Sequence, residues 1–228
     1  MLELVGVVLM AGGVTRLDRC SFAARSGEVL GLVGGTGSGK TAALEVAAGL
    51  ARPERGRVLL EGRDVTRNVG RLRGAVALAP DLAPGPSDLS VEAWLELWSA
   101  LDGSAPESVR DAAERLGAPG PARTVGTLSI GELRRLSLTR AFARRVPLYL
   151  LDGPAQGLDG DGLRRLTQAI RSAAADGATV ILSASAPFLP SSVCDRVVCL
   201  GAGRSTGEVL RGEPTFEGAI ARAQGWAV

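Results

Sequence analysis

Residues 4–9 form a short apolar run that reads as a strand, and residues 17–23 alternate apolar and polar toward a second, with a Gly12-Gly13 turn between them. Ser26-Gly27 turns the chain into a third strand over residues 28–33, and the alanine-rich segment 42–50 has the composition of a helix. After a turn at 53–56, residues 57–61 predict a strand and Gly62-Arg63-Asp64 a tight turn; 75–79 is a short apolar strand ending at Pro80. From Asp81 the pattern changes. Residues 81–86 are loop-forming, and helical spacing takes over: Ser90 caps a helix over 91–101 with Glu92 in its first turn. Pro106 starts a second helix through Leu116, stopped by Gly117 and Pro119, and a third over 128–145 carries apolar Leu133, Leu136, Ala141 and Phe142. The continuous apolar run 146–151 then predicts a strand covered on both faces, with Asp152 at its carboxyl end. A helix over 163–174, buried strands at 179–182 and 193–200, a strand at 205–210 and an amphipathic helix over 216–223 complete the series.

Strands alternating with helices predict a mostly parallel α/β core whose ligands sit at the carboxyl ends of the strands. The core takes residues 1–81 and 146–228, and the helical stretch 82–145 is an insert. Trp94 and Trp98, four apart on one helix face, are expected to pack together inside it.

Composition narrows the classes. With 46% hydrophobic residues and 4% aromatics, the core must be built from Leu, Val and Ala. A net charge of +2 without a basic run gives no support for a nucleic-acid partner. Histidine is absent, which excludes a His-containing zinc site, and Cys20, Cys194 and Cys199 lack C-x-x-C spacing, so buried reduced thiols are expected. The apolar start begins with Glu3 and lacks a basic flank, which suits a strand and not a signal peptide. No apolar run approaches the ~18 residues of a spanning helix, so work at a membrane would go through a partner.

The chemistry gathers at Gly34-Gly35-Thr36-Gly37-Ser38-Gly39-Lys40-Thr41, a G-x-x-x-x-G-K-T sequence after a buried strand and before a helix. Glycines there let backbone N–H groups face phosphate oxygens, Lys40 can reach the β- and γ-phosphates, and the Thr41 hydroxyl can ligate Mg²⁺. Asp152 is a strand-end carboxylate suited to the same metal. Ser129 and Gly131 open a helix, where hydroxyl and N–H groups form an anion site.

With these residues in place the chain resembles the ATP-binding cassette (ABC) ATPases, the nucleotide-binding units of ABC transporters. The resemblance rests on three blocks in the family's order: the phosphate loop; Leu128-Ser129-Ile130-Gly131-Glu132, similar to the signature L-S-x-G-Q/E; and Leu148-Tyr149-Leu150-Leu151-Asp152 followed by Gly157-Leu158-Asp159, similar to the acidic strand end and D-loop. It implies a P-loop NTPase core with a mostly parallel sheet flanked by helices, an N-terminal antiparallel β portion and a helical signature subdomain. It also implies ATP and Mg²⁺ as ligands, and a head-to-tail dimer in which residues 128–132 meet the ATP of the opposite subunit while Asp159 links the two sites. Membrane permease subunits docking near residues 81–90, and a peripheral place on the cytoplasmic face of the inner membrane, follow from the same resemblance.

Four positions depart from the family. The glutamate that polarises the attacking water is replaced by Gly153, the switch histidine by Ser185 and the loop glutamine by Asp81. The adenine-stacking aromatic falls near Met10 or Ala11, neither aromatic. Phosphate and metal groups are retained while hydrolytic groups are missing, and loss of acid–base help costs ~10²–10⁴-fold in rate. The expectation is therefore the hydrolytically impaired half of a nucleotide-binding heterodimer, with hydrolysis at the composite site of a second cassette. The alternatives are a non-transport regulator in which ATP binding switches a protein interaction, and a homodimeric enzyme using a displaced catalytic residue.

Overall fold

The computed structural model describes residues 1–72, 74–81, 85–184 and 188–223. Four strands, β1 (Leu2–Ala11), β2 (Val14–Ala24), β4 (Arg55–Leu60) and β5 (Arg63–Asp64), form an antiparallel sheet in the order β2-β1-β4-β5. The second sheet takes β3 (Val29–Val33), β6 (Val76–Ala79), β7 (Leu148–Leu151), β8 (Thr179–Ala184), β9 (Arg196–Gly201) and β10 (Arg204–Leu210) in the order β10-β9-β3-β8-β7-β6. Every pairing in it is parallel except the β9–β10 hairpin at its edge. The mostly parallel core and the antiparallel N-terminal portion are both present as expected.

Side chains of β3 alternate between two cores, as strand periodicity requires. Leu30 and Leu32 join Leu150, Ile181 and Val198 beneath helix α1 (Lys40–Ala47), which is sandwiched against the antiparallel sheet through Leu4, Leu9, Leu17 and Phe22. Val29 and Val33 face the other way, toward helices α4 (Ile130–Phe142), α5 (Gly160–Ala175), α6 (Phe188–Val193) and α7 (Phe216–Ala223). The phosphate loop is thus clamped between two packed layers.

Helices α2 (Val91–Asp102) and α3 (Pro106–Leu116) pack with α4 in the stretch expected to form the insert. Ser90 caps α2 by accepting the Ala93 N–H at 3.1 Å, and Gly103 and Gly117 end the two helices at φ 70° and 63°. Trp94 and Trp98 pack with ring centroids 5.8 Å apart, and the Arg140 guanidinium, paired with Asp102, lies 3.6 Å from the Trp98 ring centroid. Helix α4 bridges two environments: Leu136 packs with Trp94, whereas Leu138, Ala141 and Phe142 pack on the main sheet.

Most element boundaries differ from expectation by a few residues, Arg63–Asp64 forms the short strand β5 where the sequence predicts a tight turn, and two shifts stand out. Helix α1 begins at Lys40, not Ala42, and stops at Ala47 because Gly49 takes φ 73°. The apolar stretch at Val193 belongs to α6, and β9 starts only at Arg196; short buried runs do not distinguish helix end from strand.

Arg196 fixes the β9 edge. It is 5% exposed and donates to Glu28 Oε1 (2.8 Å) and Oε2 (3.2 Å), to the Ala23 carbonyl (2.5 Å) and to Glu208 (2.5 Å). Arg196→Met takes the guanidinium from the buried Glu28 carboxylate and leaves it only the Arg25 N–H at 2.7 Å, a loss of ~3–5 kcal/mol. The expected result is a Tm lower by ~6–20 °C in a thermal melt, and an unchanged Tm contradicts it.

Candidate functional site

The turn from β3 into α1 is held from outside. A Cβ on Gly34 would stand 2.4 Å from the Leu200 carbonyl and 2.5 Å from Ser38 Oγ; one on Gly39, whose φ is 102°, would stand 2.9 Å from the Arg16 carbonyl. Only glycine allows these backbones to approach so closely. Gly203 in the β9–β10 turn donates its N–H to the Ser38 carbonyl at 3.1 Å, tying the loop to the sheet edge. Gly35, Thr36, Gly37 and Thr41 remain at least partly open to solvent.

Lys40 folds into this cradle. It is 8% exposed, and Nζ donates to the carbonyls of Gly34 (2.7 Å) and Gly35 (2.9 Å) and to Ser38 Oγ (3.3 Å). Burial lowers its pKa, partly opposed by the Asp152 carboxylate. Helix α1 has no side-chain cap and no acidic residue in its first turn. An uncapped helix N-terminus, a buried cation and a glycine loop together make an anion site shaped for phosphate.

Asp152, 7% exposed at the end of β7, accepts a hydrogen bond from the Ser183 hydroxyl at 2.5 Å, and that hydroxyl oxygen in turn accepts the Gly153 N–H at 2.9 Å. Ser183 is a site residue that sequence reasoning misses. Its signal is a polar residue within the fully buried β8, one step beyond the Leu151–Leu182 pair and hence beside Asp152. A strand-end carboxylate near a phosphate cradle is the donor type a divalent cation requires, and Thr41 on the first turn of α1 adds a hydroxyl.

Where the expected glutamate is missing, other polar groups converge. A Cβ on Gly153 (φ 55°) would meet Asp81 Oδ1 at 3.1 Å and Gln156 Oε1 at 3.6 Å. The Asp81 carboxylate is paired with Arg134 (2.6 Å), a guanidinium only 2% exposed that also donates to the backbone carbonyls of Pro80 (3.0 Å) and Asp152 (3.3 Å). Asp81 is thus anchored across the β6–β7 strand ends. Arg134 and Gln156 carry no local sequence signal, because their partners are distant in the chain. Ser185 lies outside the described residues, as do residues 82–84. Met10 and Ala11 lie at the solvent-exposed tip of the β1–β2 hairpin.

The segment Leu128, Ser129, Ile130, Gly131, Glu132 forms the N-terminus of α4. Ser129 is the N-cap in a capping box: its Oγ accepts the Glu132 N–H (3.3 Å), while Glu132 Oε2 takes the Ser129 N–H (2.9 Å). The bonds from the Ser129 backbone and hydroxyl, then the Arg123 guanidinium, lower the Glu132 pKa. A Cβ on Gly131 would lie 2.2 Å from the Gly157 carbonyl, so this helix start and the loop after Asp152 are in backbone contact. Asp159 accepts the Gly162 N–H (2.8 Å) as N-cap of α5 and pairs with Arg135 (2.5 Å), both of which lower its pKa. Ile130 stands 62% exposed on the same edge.

A glycine cradle between a buried parallel strand and a helix, with a strand-end aspartate nearby, defines a P-loop NTPase. Residues 17–156 match the family described as ABC transporter, and the chain belongs to that family. It is 32% identical to the cytochrome c biogenesis ATP-binding export protein CcmA of Sphingopyxis alaskensis over 184 residues, 80% of this chain and 89% of that protein. In fold it is similar to the ATP-binding subunit of an ABC transporter (TM-score 0.84, 22% identity, 96% of this chain and 94% of that one). It is also similar to the dimeric post-hydrolysis state of the cassette MJ0796 bound to ADP and Pi (TM-score 0.82, 19% identity, 92% and 98%).

Proposed function

We propose that the chain is the ATP-binding subunit of an ABC transporter whose own site holds ATP and hydrolyses it slowly, while a second cassette hydrolyses ATP at the composite site this chain's signature segment completes. The observation that carries the reading is Gly153. The residue beside Asp152 has no side chain, yet the phosphate cradle and the Ser129-capped start of α4 are intact.

In this reading residues 34–41 cradle the triphosphate, with Lys40 swinging from the Gly34 and Gly35 carbonyls to the phosphates. Thr41 and Asp152 would hold Mg²⁺, which would supply neutralisation of the phosphate charge. Ser129 and the Gly131 N–H face the partner's ATP, and exposed Ile130 is covered when the two subunits close. Asp159 lies in the loop that touches this helix start, a placement suited to relaying between the two sites. MJ0796, solved as a dimer with ADP and Pi, supports a paired assembly.

Among the described residues no helix is long and apolar enough to cross a membrane. As the ATP-binding subunit of a transporter, the chain would sit peripherally, on the cytoplasmic face, against membrane subunits. The insert, residues 82–145, is the proposed docking subdomain. A groove of about 940 Å³ between α2 and α3, floored by Val91, Leu95 and Val109, is compatible with a docked helix there.

Phosphate release from Mg-ATP tests the reading. The isolated chain is expected to run ~10²–10⁴-fold below the pair formed with its partner cassette. An isolated chain as fast as the pair overturns the impaired-site reading.

A further inference from the structure

Beyond Asp152 at the end of β7, position 153 carries no side chain, but the end of β6 supplies a carboxylate beside it. Ala79 pairs with Leu151 in parallel register, so two residues on Asp81 lies alongside Gly153. The Asp81 Oδ1 atom is 3.1 Å from the point where a side chain at 153 would begin, and Gln156 Oε1 is 3.6 Å from it. A carboxylate and an amide therefore converge over the bare glycine. Arg134 is shared between them, at 2.6 Å from Asp81 Oδ1 and 3.5 Å from Gln156 Oε1. Asp81 is 54% exposed and commits only Oδ1 to Arg134, so Oδ2 carries no hydrogen bond among the described residues.

We propose that Asp81, with Gln156 beside it, positions the attacking water at this chain's own nucleotide site, so that a carboxylate on the neighbouring strand stands in for the one absent at Gly153. The inference rests on residues 34–41 being the nucleotide site and refines the account of that site: turnover there is slow, not zero, and runs through Asp81. In the hydrolysis the water oxygen forms a bond to the γ-phosphorus as the bond to the β–γ bridging oxygen breaks. ADP leaves with that electron pair, and the water proton ends on the released phosphate. A largely dissociative transfer of this kind demands orientation of the water more than a strong base. A carboxylate tied to a guanidinium is a weak base but a well-anchored acceptor, which suits orientation and explains slow turnover.

The test is single-turnover phosphate release by the full chain paired with a partner cassette whose own phosphate-loop lysine is changed to alanine, the pair in excess over Mg-ATP, with nucleotide affinity and Tm measured on the same samples. Asp81→Asn is expected to slow release ~10²-fold or more with affinity held within about twofold, and Asp81→Glu to keep a rate above that of Asp81→Asn. Gln156→Ala is expected to lower the rate less. Release that is indifferent to Asp81→Asn overturns the inference, as does a wild-type chain that releases no phosphate above buffer. So does a loss of rate that only follows a loss of affinity or Tm, since that marks a structural role for the Arg134 pair. The two readings fail separately: brisk release that collapses in Asp81→Asn sinks the impaired site and keeps this inference, and slow release that ignores Asp81 does the reverse.

Discussion

Lys40→Ala weakens ATP binding by roughly 10–150-fold and leaves the fold in place. The magnitude follows from removing charge-assisted hydrogen bonds worth ~1.5–3 kcal/mol. Lys40 Nζ is held by the Gly34 and Gly35 carbonyls and Ser38 Oγ, and burial makes its charge costly. A triphosphate replaces these neutral acceptors with anionic ones, so the lysine's interactions grow on binding. The loop itself does not depend on this side chain. The Gly203-to-Ser38 hydrogen bond and the close approach of Gly34 to Leu200 persist in the variant. Arginine is a poor substitute, since the planar guanidinium is larger than a site in which Lys40 is only 8% exposed. A nucleotide titration reads the effect directly, and wild-type affinity in Lys40→Ala would contradict the assignment of the cradle.

A second large effect belongs to the start of α4. Ser129→Arg is expected to slow hydrolysis by the assembled pair ~10²-fold or more, the scale of losing one donor to a developing phosphate charge. The substitution removes the Ser129 hydroxyl and puts a long side chain where the partner's nucleotide must approach. It also removes the α4 cap, a loss of ~1 kcal/mol, too little to unfold the chain. Ser129→Ala separates the two causes, because it removes cap and hydroxyl without adding bulk.

The parts of the site written as continuous sequence are legible in the residues alone. Residues 34–41, 128–132 and 148–159 each carry their geometry locally: a strand delivers the loop, a cap opens the helix, an apolar run ends at an acid. Ser183, Arg134 and Gln156 escape such reading because their roles arise between elements. Ser183 acquires a partner only when β8 lies beside β7, and Arg134 only when α4 packs across the ends of β6 and β7. In the sequence Asp81 stands out only as a departure from a pattern. Strand register makes it the neighbour of Gly153, and no local signal gives that pairing. The boundaries of α1 and β9 slip for a related reason: Ala, Val and Leu fill both helix ends and buried strands here, and packing decides between them.

The measurement that bears most directly on the asymmetric pair is steady-state phosphate release from this chain co-purified with its partner cassette, comparing wild type with Ser129→Arg in this chain alone. The account predicts that release falls ~10²-fold or more while ATP still binds at the Lys40 site of the altered chain. Release that continues at the wild-type rate would contradict it, because hydrolysis would then not depend on this chain's signature segment.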